Sequence, residues 1–399
     1  MVKLVSNPNL IQQLPTPTKE QMDASQSLCL EIIDRIHHND NWLSFKDFMS
    51  LALYHPLYGY YSGGNTKIGT NGDFITAPEL GPLFSYSLVQ QITPIIKIHQ
   101  NFDILEFGAG TGQLAYDLLL QFDNQGITIA NYYILEVSAE LKNRQQNTLA
   151  KLPKHILTKI TWLTTLPEDN SFQGIIIANE IIDAMPVNLF MLDNNQIKEL
   201  GLTVIDDHLV WQHKLADVYL HNYIEQNIKP LLTDLDSYIS EINLLARDWL
   251  KSVSQCLAQG SMFIIDYGFA RHEYYHPDRD NGTLMCHYRH FAHQDPLFYP
   301  GLQDITAHVD FTSLAEVAVE NDLDVGSYIN QAHFLLANNV TQYIDEIKND
   351  ENIFKLKQQL KMLTSPTEMG ELFKVLVLYK NIDYKFFMNL QLFDKRCTL

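Results

Sequence analysis

The sequence Asp-Ile-Leu-Glu-Phe-Gly-Ala-Gly-Thr-Gly, residues 103–112, constrains the fold of this chain more than any other stretch. Its apolar first half is typical of a buried strand, and Gly108, Gly110 and Gly112 then allow a turn with positive φ angles and a close approach to a ligand. Residues 113–122 follow with apolar side chains at helical spacing. The pattern predicts a strand, a glycine turn and a helix that together bind a nucleotide-type cofactor.

The spacing of the glycines indicates which cofactor the turn binds. Gly-x-Gly-x-Gly differs from the Gly-x-Gly-x-x-Gly pattern of dinucleotide sites, which argues against NAD. Glu106, just before the turn, would repel a pyrophosphate but attract a cation. S-adenosylmethionine carries a sulfonium and an ammonium group, so we expect it to contact Glu106, Gly108, Ala109, Gly110 and Gly112. The alternative is an ordinary tight turn that binds nothing.

A second apolar run, residues 132–136, ends in a carboxylate. A doubly wound sheet places an acid at this point to accept hydrogen bonds from the ribose hydroxyls. Glu136 is therefore the predicted ribose ligand, and Val137 beside it is assigned to the same cofactor site. The alternative is that Glu136 is a surface acid at the end of a strand.

Further apolar runs complete an alternating α/β pattern. Runs that are apolar on both faces belong inside a parallel sheet covered by helices. We predict a Rossmann-like sheet with helices on both faces, whose further strands lie at residues 160–163, 174–178, 260–267 and 372–379.

Motifs along most of the chain resemble the MidA family of class I S-adenosylmethionine-dependent methyltransferases, which includes a mitochondrial complex I assembly enzyme that modifies an arginine. Where many relatives have Gly-Pro-Gly-Arg-Gly in the turn, this chain has Gly-Ala-Gly-Thr-Gly. Besides the glycine turn, the shared motifs are at residues 58–61, 72–79, 179–187, 265–268, 282–284, 304–311 and 369–370.

The resemblance implies a class I methyltransferase fold, S-adenosyl-L-methionine as cofactor and S-adenosylhomocysteine as product. It also implies an arginine acceptor in a protein substrate, a subunit of a respiratory or other complex. Two alternatives stay open: a non-catalytic assembly chaperone that keeps the cofactor, and a nicotinamide oxidoreductase.

The segment before the first sheet strand is expected to cover the cofactor. Its glycine-rich turns at residues 63–64 and 69–72 have the composition of a loop over the site. The resemblance further implies that Phe74, Thr76, Pro78 and Glu79 reach the cofactor. Alternatively, or in addition, Thr76 and Glu79 form a capping box for a helix that starts near Pro78.

Asn179, Glu180 and Asp183 crowd the end of a predicted strand, where a ligand crevice is expected. Methyl transfer requires mainly that acceptor, methyl and sulfur be aligned. For an arginine acceptor, Glu180 and then Asp183 are the candidates to orient the guanidinium, while the Asn179 amide holds acceptor or cofactor. The alternative is that Asp183 caps a following helix and the other two residues form a turn.

His308 and Asp310 lie in the motif at residues 304–311. Side chains two positions apart on an extended segment point the same way, which would let the pair move a proton or hold a guanidinium. The alternative is a buried structural histidine. The nearby cluster at residues 286–293 contains a cysteine and three histidines, but its spacing does not match a zinc motif, and we predict no metal.

Composition limits the partners. The 28 Lys and Arg against 47 Asp and Glu give a net charge of -19, which disfavours nucleic acid and favours a basic polypeptide. The four scattered cysteines suit a reducing compartment, and no signal sequence or membrane span is apparent. We expect a cytoplasmic bacterial protein, or a mitochondrial matrix protein in a eukaryote. Self-association is left open.

The predicted organisation has three parts. Residues 1–100 form an N-terminal helical segment with the cofactor-covering loop, and residues 101–187 with 258–399 form the methyltransferase core. Residues 188–257 form an inserted module for substrate recognition, with short strands in a hairpin and then a long helical stretch over 218–257.

Overall fold

The computed structural model describes residues 14–62, 76–194, 196–232, 235, 237–347 and 350–399. The glycine-rich turns at residues 63–64 and 69–72 and Phe74, all assigned to the loop over the cofactor, lie outside the described residues. Among the described helices, none has both the length and the apolar character that crossing a membrane requires.

The chain forms two compact units. The first unit comprises Met1–Phe74, Asp183–Ala246 and Arg271–Val309; the second unit comprises Ile75–Ile182, Arg247–Ala270 and Asp310–Leu399. These boundaries differ from those of the three-part organisation inferred from the sequence, which stays a prediction.

The strands, in chain order, are β1 (Leu43–Ser44), β2 (Asp103–Phe107), β3 (Tyr132–Leu135), β4 (Ile160–Leu163), β5 (Phe172–Asn179), β6 (Asn188–Asp193), β7 (Gln196–Ile205), β8 (His208–Leu215), β9 (Ser237–Ile242), β10 (Leu257–Phe269), β11 (Met285–Tyr288), β12 (Phe291–His293), β13 (Asp304–Thr306), β14 (Val309–Asp310), β15 (Asp324–Asn330) and β16 (Phe373–Lys380).

The α-helices are α1 (Lys19–His38), α2 (Phe45–Tyr54), α3 (Ala77–Leu80), α4 (Leu83–Ile98), α5 (Gln113–Asn124), α6 (Ala139–Leu149), α7 (Lys154–Leu157), α8 (Val218–Asn227), α9 (Leu244–Cys256), α10 (Arg271–Tyr274), α11 (Phe311–Glu320), α12 (Gln331–Ala337), α13 (Val340–Asp345) and α14 (Asp350–Thr364). Short 3-10 helices span Lys229–Leu231, Tyr384–Phe393 and Arg396–Thr398.

The second unit is built on a sheet in the order β4-β3-β2-β5-β10-β16-β15. The five strands from β4 to β10 are parallel, and β16 runs antiparallel to β10 and β15. The predicted Rossmann-like α/β sheet is therefore confirmed. The chain passes outward from β2 through β3 to β4 and then returns to β5 on the other side of β2. Ligands of doubly wound sheets bind at such a switch point, outside the carboxyl ends of the strands.

Burial explains why the central strands read as continuous apolar runs. Ile175, Ile176 and Ile177 of β5 are each fully buried, as expected where helices cover both faces of a parallel sheet. Ile92 of α4 and Leu118 of α5 belong to the same apolar core, which fixes these helices against the sheet. The carboxyl ends of β2, β3 and β5 are thereby held in fixed positions.

The first unit contains an antiparallel sheet in the order β1-β7-β6-β9, with β8 paired to β7, and a smaller sheet in the order β12-β11-β13. The predicted hairpin strands are confirmed as β6, β7 and β8. Asp206 and Asp207 both adopt positive φ, 50° and 61°, and join β7 to β8 with Ile205 opposite His208. A two-residue turn of this kind matches the twist of the strands.

The long helical stretch predicted over residues 218–257 is wrong. Helices α8 and α9 occupy its two ends, but β9 lies between them and pairs antiparallel with β6. Tyr238 and Ile239 of β9 are buried in this pairing. Aromatic and β-branched residues such as these two favour a strand once a partner strand is present, and local helix periodicity does not detect that partner.

Candidate functional site

The glycine turn has the backbone conformation that the sequence predicted. Gly108, Gly110 and Gly112 have φ angles of 59°, 53° and 85°, and α5 begins directly after Gly112. A Cβ atom on Gly108 would lie 2.7 Å from Cγ2 of Ile181, so the turn also needs glycine for space. The predicted strand, turn and helix are confirmed, and Gly108 is exposed at the carboxyl end of β2.

Glu136 points toward this turn. Its carboxylate accepts hydrogen bonds from the backbone N–H of Ser138 (2.8 Å) and from Nε2 of Gln145 (2.8 Å), and the same Nε2 donates to the Gly110 carbonyl (3.2 Å). Burial raises the pKa of Glu136, against the effect of these donors. The neighbouring Val137 is 79% exposed, so an apolar side chain faces solvent beside the carboxylate.

Sequence reasoning missed Gln145. It is fully buried, and its Oε1 also accepts a hydrogen bond from Nε1 of Trp162 at 2.9 Å. Gln145 shares the buried stripe of α6 with Leu141 and Leu149. The sequence does contain a signal for this role, because Gln145 is a polar residue at a position where the helix pattern predicts an apolar one. A buried amide needs specific hydrogen-bond partners.

The segment before α4 reaches the glycine turn through Glu79. The Thr111 hydroxyl donates a hydrogen bond to the Glu79 carboxylate. Thr76 makes no side-chain cap on α3, so the alternative capping box is wrong. Pro78 is buried in the first turn of α3, and Ala109 is buried within the turn that Glu79 approaches.

Glu106 is enclosed, with 2% of its surface exposed. The Tyr132 hydroxyl donates a 2.7 Å hydrogen bond to its carboxylate. Burial raises the pKa of Glu106 to about 7, and the nearby Glu136 charge adds to this, while the Tyr132 hydrogen bond opposes it. A cation near this carboxylate would favour its charged form.

We expect the free energy of unfolding to fall as the pH rises from 4.5 to about 7, because the unfolded Glu106 loses its proton near 4.5 and the folded one near 7. The unfolded state then binds fewer protons, and the loss amounts to about 3 kcal/mol. Urea unfolding of Glu106→Gln across this range should show a decrease smaller by this amount, because other buried carboxylates such as Asp117, whose pKa burial raises to about 6, still contribute. The exposed control Glu168→Gln should keep the full decrease. Parallel pH profiles for wild type and Glu106→Gln would contradict the assignment.

Asn179 and Glu180 lie where β5 ends. Glu180 has a φ of 52°, unusual for a residue with a long side chain, and such conformations cluster at functional sites. Its N–H donates to the Ile265 carbonyl (2.8 Å), and its Oε1 accepts from the Ala77 N–H (3.4 Å) and from Nδ2 of Asn179 (3.2 Å). Oδ1 of Asn179 is buried and has no hydrogen-bond partner among the described residues.

The remaining predicted residues fall into both units. In the first unit, the Asp183 carbonyl accepts a 3.0 Å hydrogen bond from the N–H of Ala307, which precedes His308. Asp183 does not cap a helix, since turns lead from it to β6, so that alternative is wrong. In the second unit, the Asp310 carboxylate caps α11 by accepting from the Ser313 N–H (3.1 Å). A joint role of His308 and Asp310 stays a prediction.

Residues 286–293 form parts of β11 and β12 in the first unit. Cys286 is buried and lies opposite the buried His293. Burial lowers the pKa of His293 to about 4. Within the described ranges, no group of three or more His, Cys, Asp and Glu side chains is arranged to hold a metal ion.

The second unit thus presents carboxylates near the glycine turn and, at the end of β5, a buried amide oxygen without a partner among the described residues. Glu79 and Glu136 each contact the turn or a residue bound to it, and Oδ1 of Asn179 can accept a hydrogen bond at the end of the neighbouring strand β5. These groups suit a ligand with hydroxyl and ammonium donors and no phosphate.

Comparisons with known proteins agree with this chemistry. A family model described as S-adenosyl-L-methionine-dependent methyltransferase matches residues 87–329. The curated protein arginine methyltransferase NDUFAF7, mitochondrial, is 27% identical in Danio rerio over 83% of this chain and 82% of the relative. The Homo sapiens protein of the same name is 26% identical over 84% of this chain and 80% of its own length.

Two crystal structures of a superfamily member from Burkholderia thailandensis share the fold at 36% sequence identity. Each alignment covers 97% of this chain and 100% of the chain in the crystal structure. One was solved bound to S-adenosyl-homocysteine and has a TM-score of 0.90; the other has a TM-score of 0.88. The cofactor predicted from the sequence is confirmed, and the nicotinamide alternative is set aside.

Proposed function

Because the chain belongs to the MidA family of class I S-adenosyl-L-methionine-dependent methyltransferases, we propose that it methylates an arginine side chain of a protein. The relatives named protein arginine methyltransferase align with more than four fifths of this chain, which supports the proposal. The observation that carries it is the pair at the end of β5, where a buried acceptor oxygen of Asn179 adjoins the carboxylate of Glu180.

The second unit supplies the groups for the cofactor. When bound, S-adenosyl-L-methionine supplies a methyl group on a positively charged sulfur. Glu136 accepts hydrogen bonds from the ribose hydroxyls, and Gln145 keeps its carboxylate turned toward the glycine turn. Glu79, fixed by Thr111, and Glu106 provide negative charge for the cationic groups. Val137 offers apolar surface to the adenine ring.

Glu180 is assigned to the acceptor. An arginine guanidinium is planar, permanently charged and presents five N–H donors, so it needs several fixed acceptors. The Glu180 carboxylate and Oδ1 of Asn179 provide such acceptors at neighbouring positions. The carboxylate orients the guanidinium and draws its positive charge away from the nitrogen that attacks the methyl group. We also assign Asp183 and His308, which belong to the first unit, to recognition of the acceptor protein.

Aromatic and acidic residues of the first unit support a cationic acceptor. Tyr54 and Tyr61 stack with ring centroids 5.4 Å apart, and the Tyr61 hydroxyl donates to the buried carboxylate of Asp304 (3.0 Å). Burial raises the pKa of Tyr61 well above its usual value, and the charges of Asp304 and Asp183 act in the same direction. Aromatic faces and carboxylates both attract a guanidinium.

The partner is a polypeptide, and we assign it to a larger assembly such as a respiratory complex, in the bacterial cytoplasm or the mitochondrial matrix. The net charge of -19 favours a basic segment of such a partner.

Peptides with one central arginine should accept labelled methyl groups at least about 100-fold faster than matched lysine peptides. The reason is that acceptors arranged for the planar guanidinium of arginine fit the compact ammonium group of lysine poorly. The measurement is mass spectrometry of peptides incubated with methyl-labelled cofactor. Peptides with glutamine in place of arginine serve as the control. Preferential labelling of lysine, or no labelling of any peptide, would contradict an arginine acceptor.

A further inference from the structure

A buried carboxylate in the first unit has no part in the site described so far. Glu241 of β9 is 1% exposed and accepts hydrogen bonds from the backbone N–H of Thr283 (2.9 Å) and of Leu284 (2.8 Å). The hydroxyl groups of Ser240 and Tyr274 also donate to it, each at 3.3 Å. Both oxygens of the carboxylate therefore accept hydrogen bonds, and two successive N–H groups of one short loop donate to Oε1.

That loop is the motif Gly282-Thr283-Leu284, which the sequence analysis singled out without a role. A Cβ atom on Gly282 would lie 2.3 Å from Oε1 of Glu241, so the glycine lets the loop approach the carboxylate closely. The φ of Gly282, 73°, favours glycine as well. Sequence and contacts thus agree that this loop is shaped around Glu241.

The loop in turn holds His308. The Thr283 hydroxyl accepts a 3.0 Å hydrogen bond from the His308 backbone N–H, and it also lies 3.2 Å from the Tyr274 hydroxyl. The residue before His308 donates its N–H to the Asp183 carbonyl. Glu241, Thr283 and His308 therefore form a continuous chain of hydrogen bonds that ends beside Asp183.

We propose that Glu241 and Thr283 are positioning residues that fix His308 for recognition of the methyl acceptor. The inference rests on the proposed function, which assigns His308 to the acceptor. It also gives a positioning role to part of residues 188–257, which the sequence predicts as a substrate-recognition module, since β9 carries Glu241.

A contribution to folding stability does not by itself explain a carboxylate at position 241. Taking a carboxylate out of water costs free energy that its hydrogen bonds only offset, and a well-packed apolar side chain of similar size is often as stable or more so. Burial does raise the pKa of Glu241, which reflects that cost. A carboxylate that accepts several hydrogen bonds from a loop does, however, restrict the backbone conformation of that loop more than apolar packing does.

The test compares Thr283→Val, which removes the hydroxyl, with Thr283→Ser, which retains it. In Thr283→Val, kcat/KM for the arginine peptide should fall about tenfold, as expected for one lost buried hydrogen bond. The Kd for S-adenosylhomocysteine should stay within about twofold and thermal melting should remain cooperative. Thr283→Ser should restore most of the activity. Thr203→Val, a half-buried threonine of β7 in the same unit, serves as the control and should behave as wild type.

The outcomes separate the inference from the proposed function. If His308→Ala loses activity while Thr283→Val does not, the positioning role is wrong and the acceptor role of His308 stands. Equal losses in Thr283→Val and Thr283→Ser, or in Thr203→Val, also overturn the inference. If His308→Ala retains full activity, or wild type methylates no peptide, the assignment of His308 to the acceptor fails and this inference fails with it.

Discussion

Gly108→Ala is expected to raise the Kd for S-adenosylhomocysteine at least about 100-fold. Alanine at a φ of 59° costs roughly 1–2 kcal/mol, and its methyl group would lie 2.7 Å from Ile181, which adds roughly 1–3 kcal/mol of overpacking. The turn relieves this strain by moving, and the backbone groups that we assign to the cofactor move with it. A 100-fold rise in Kd corresponds to a loss of about 3 kcal/mol of binding free energy. Isothermal titration calorimetry measures it directly.

Gly126→Ala is the matched control. Gly126 belongs to the same unit and has a similar φ, 66°, but nothing lies within 4 Å of an added Cβ. This variant should lose roughly 1–2 kcal/mol of stability and bind S-adenosylhomocysteine normally. Gly108→Ala combined with Ile181→Ala should recover part of the affinity, because the clash is removed while the backbone strain remains. Equal affinities for Gly108→Ala and wild type would contradict the cofactor assignment of the turn.

The parts of the fold that sequence reasoning found are those with local signals. The turn after β2 needs glycine at three positions, and the hairpin between β7 and β8 needs residues that accept positive φ, so both are visible in a short window. The central strands are visible because burial on both faces leaves a continuous apolar run.

The parts that it missed depend on distant partners. The strand β9 forms because β6 lies beside it, about fifty residues away in the chain, and the local sequence reads as part of a helix. Gln145 gains its role from Gly110, Glu136 and Trp162, and Glu241 from a loop that follows it by more than forty residues. A polar side chain at a buried position signals such a role, but the partners are known only from the fold.

The predicted catalytic residues show the same limit. Asn179, Glu180 and Asp183 are close in sequence, but the chain passes from one compact unit to the other between Ile182 and Asp183. His308 and Asp310 are likewise assigned to different units, and the carboxylate of Asp310 is engaged in capping α11. Spacing along the chain therefore groups residues that belong to different compact units.

Glu180→Gln is expected to lower kcat for methyl transfer about 10²–10³-fold, the usual cost of removing a charge aimed at the reacting group. The substitution retains Oε1, which accepts from the Ala77 N–H and from Asn179, so the strained turn keeps its hydrogen bonds. The Kd for S-adenosylhomocysteine should therefore change by no more than about threefold. Single-turnover transfer to the arginine peptide, together with calorimetry, separates the two effects.

The control is Glu168→Gln, which removes one exposed carboxylate from the same unit and should leave kcat and Kd as in wild type. If Glu180→Gln loses cofactor affinity as much as kcat, the carboxylate serves the cofactor, and Asn179 is the only residue of the pair at the end of β5 that remains assigned to the acceptor. If kcat is unchanged, Glu180 has no catalytic role, and its positive φ serves only the turn that leads out of β5. The expected split between kcat and Kd therefore tests directly whether the charge of Glu180 serves the acceptor, because a role toward the cofactor would lower the cofactor affinity as well.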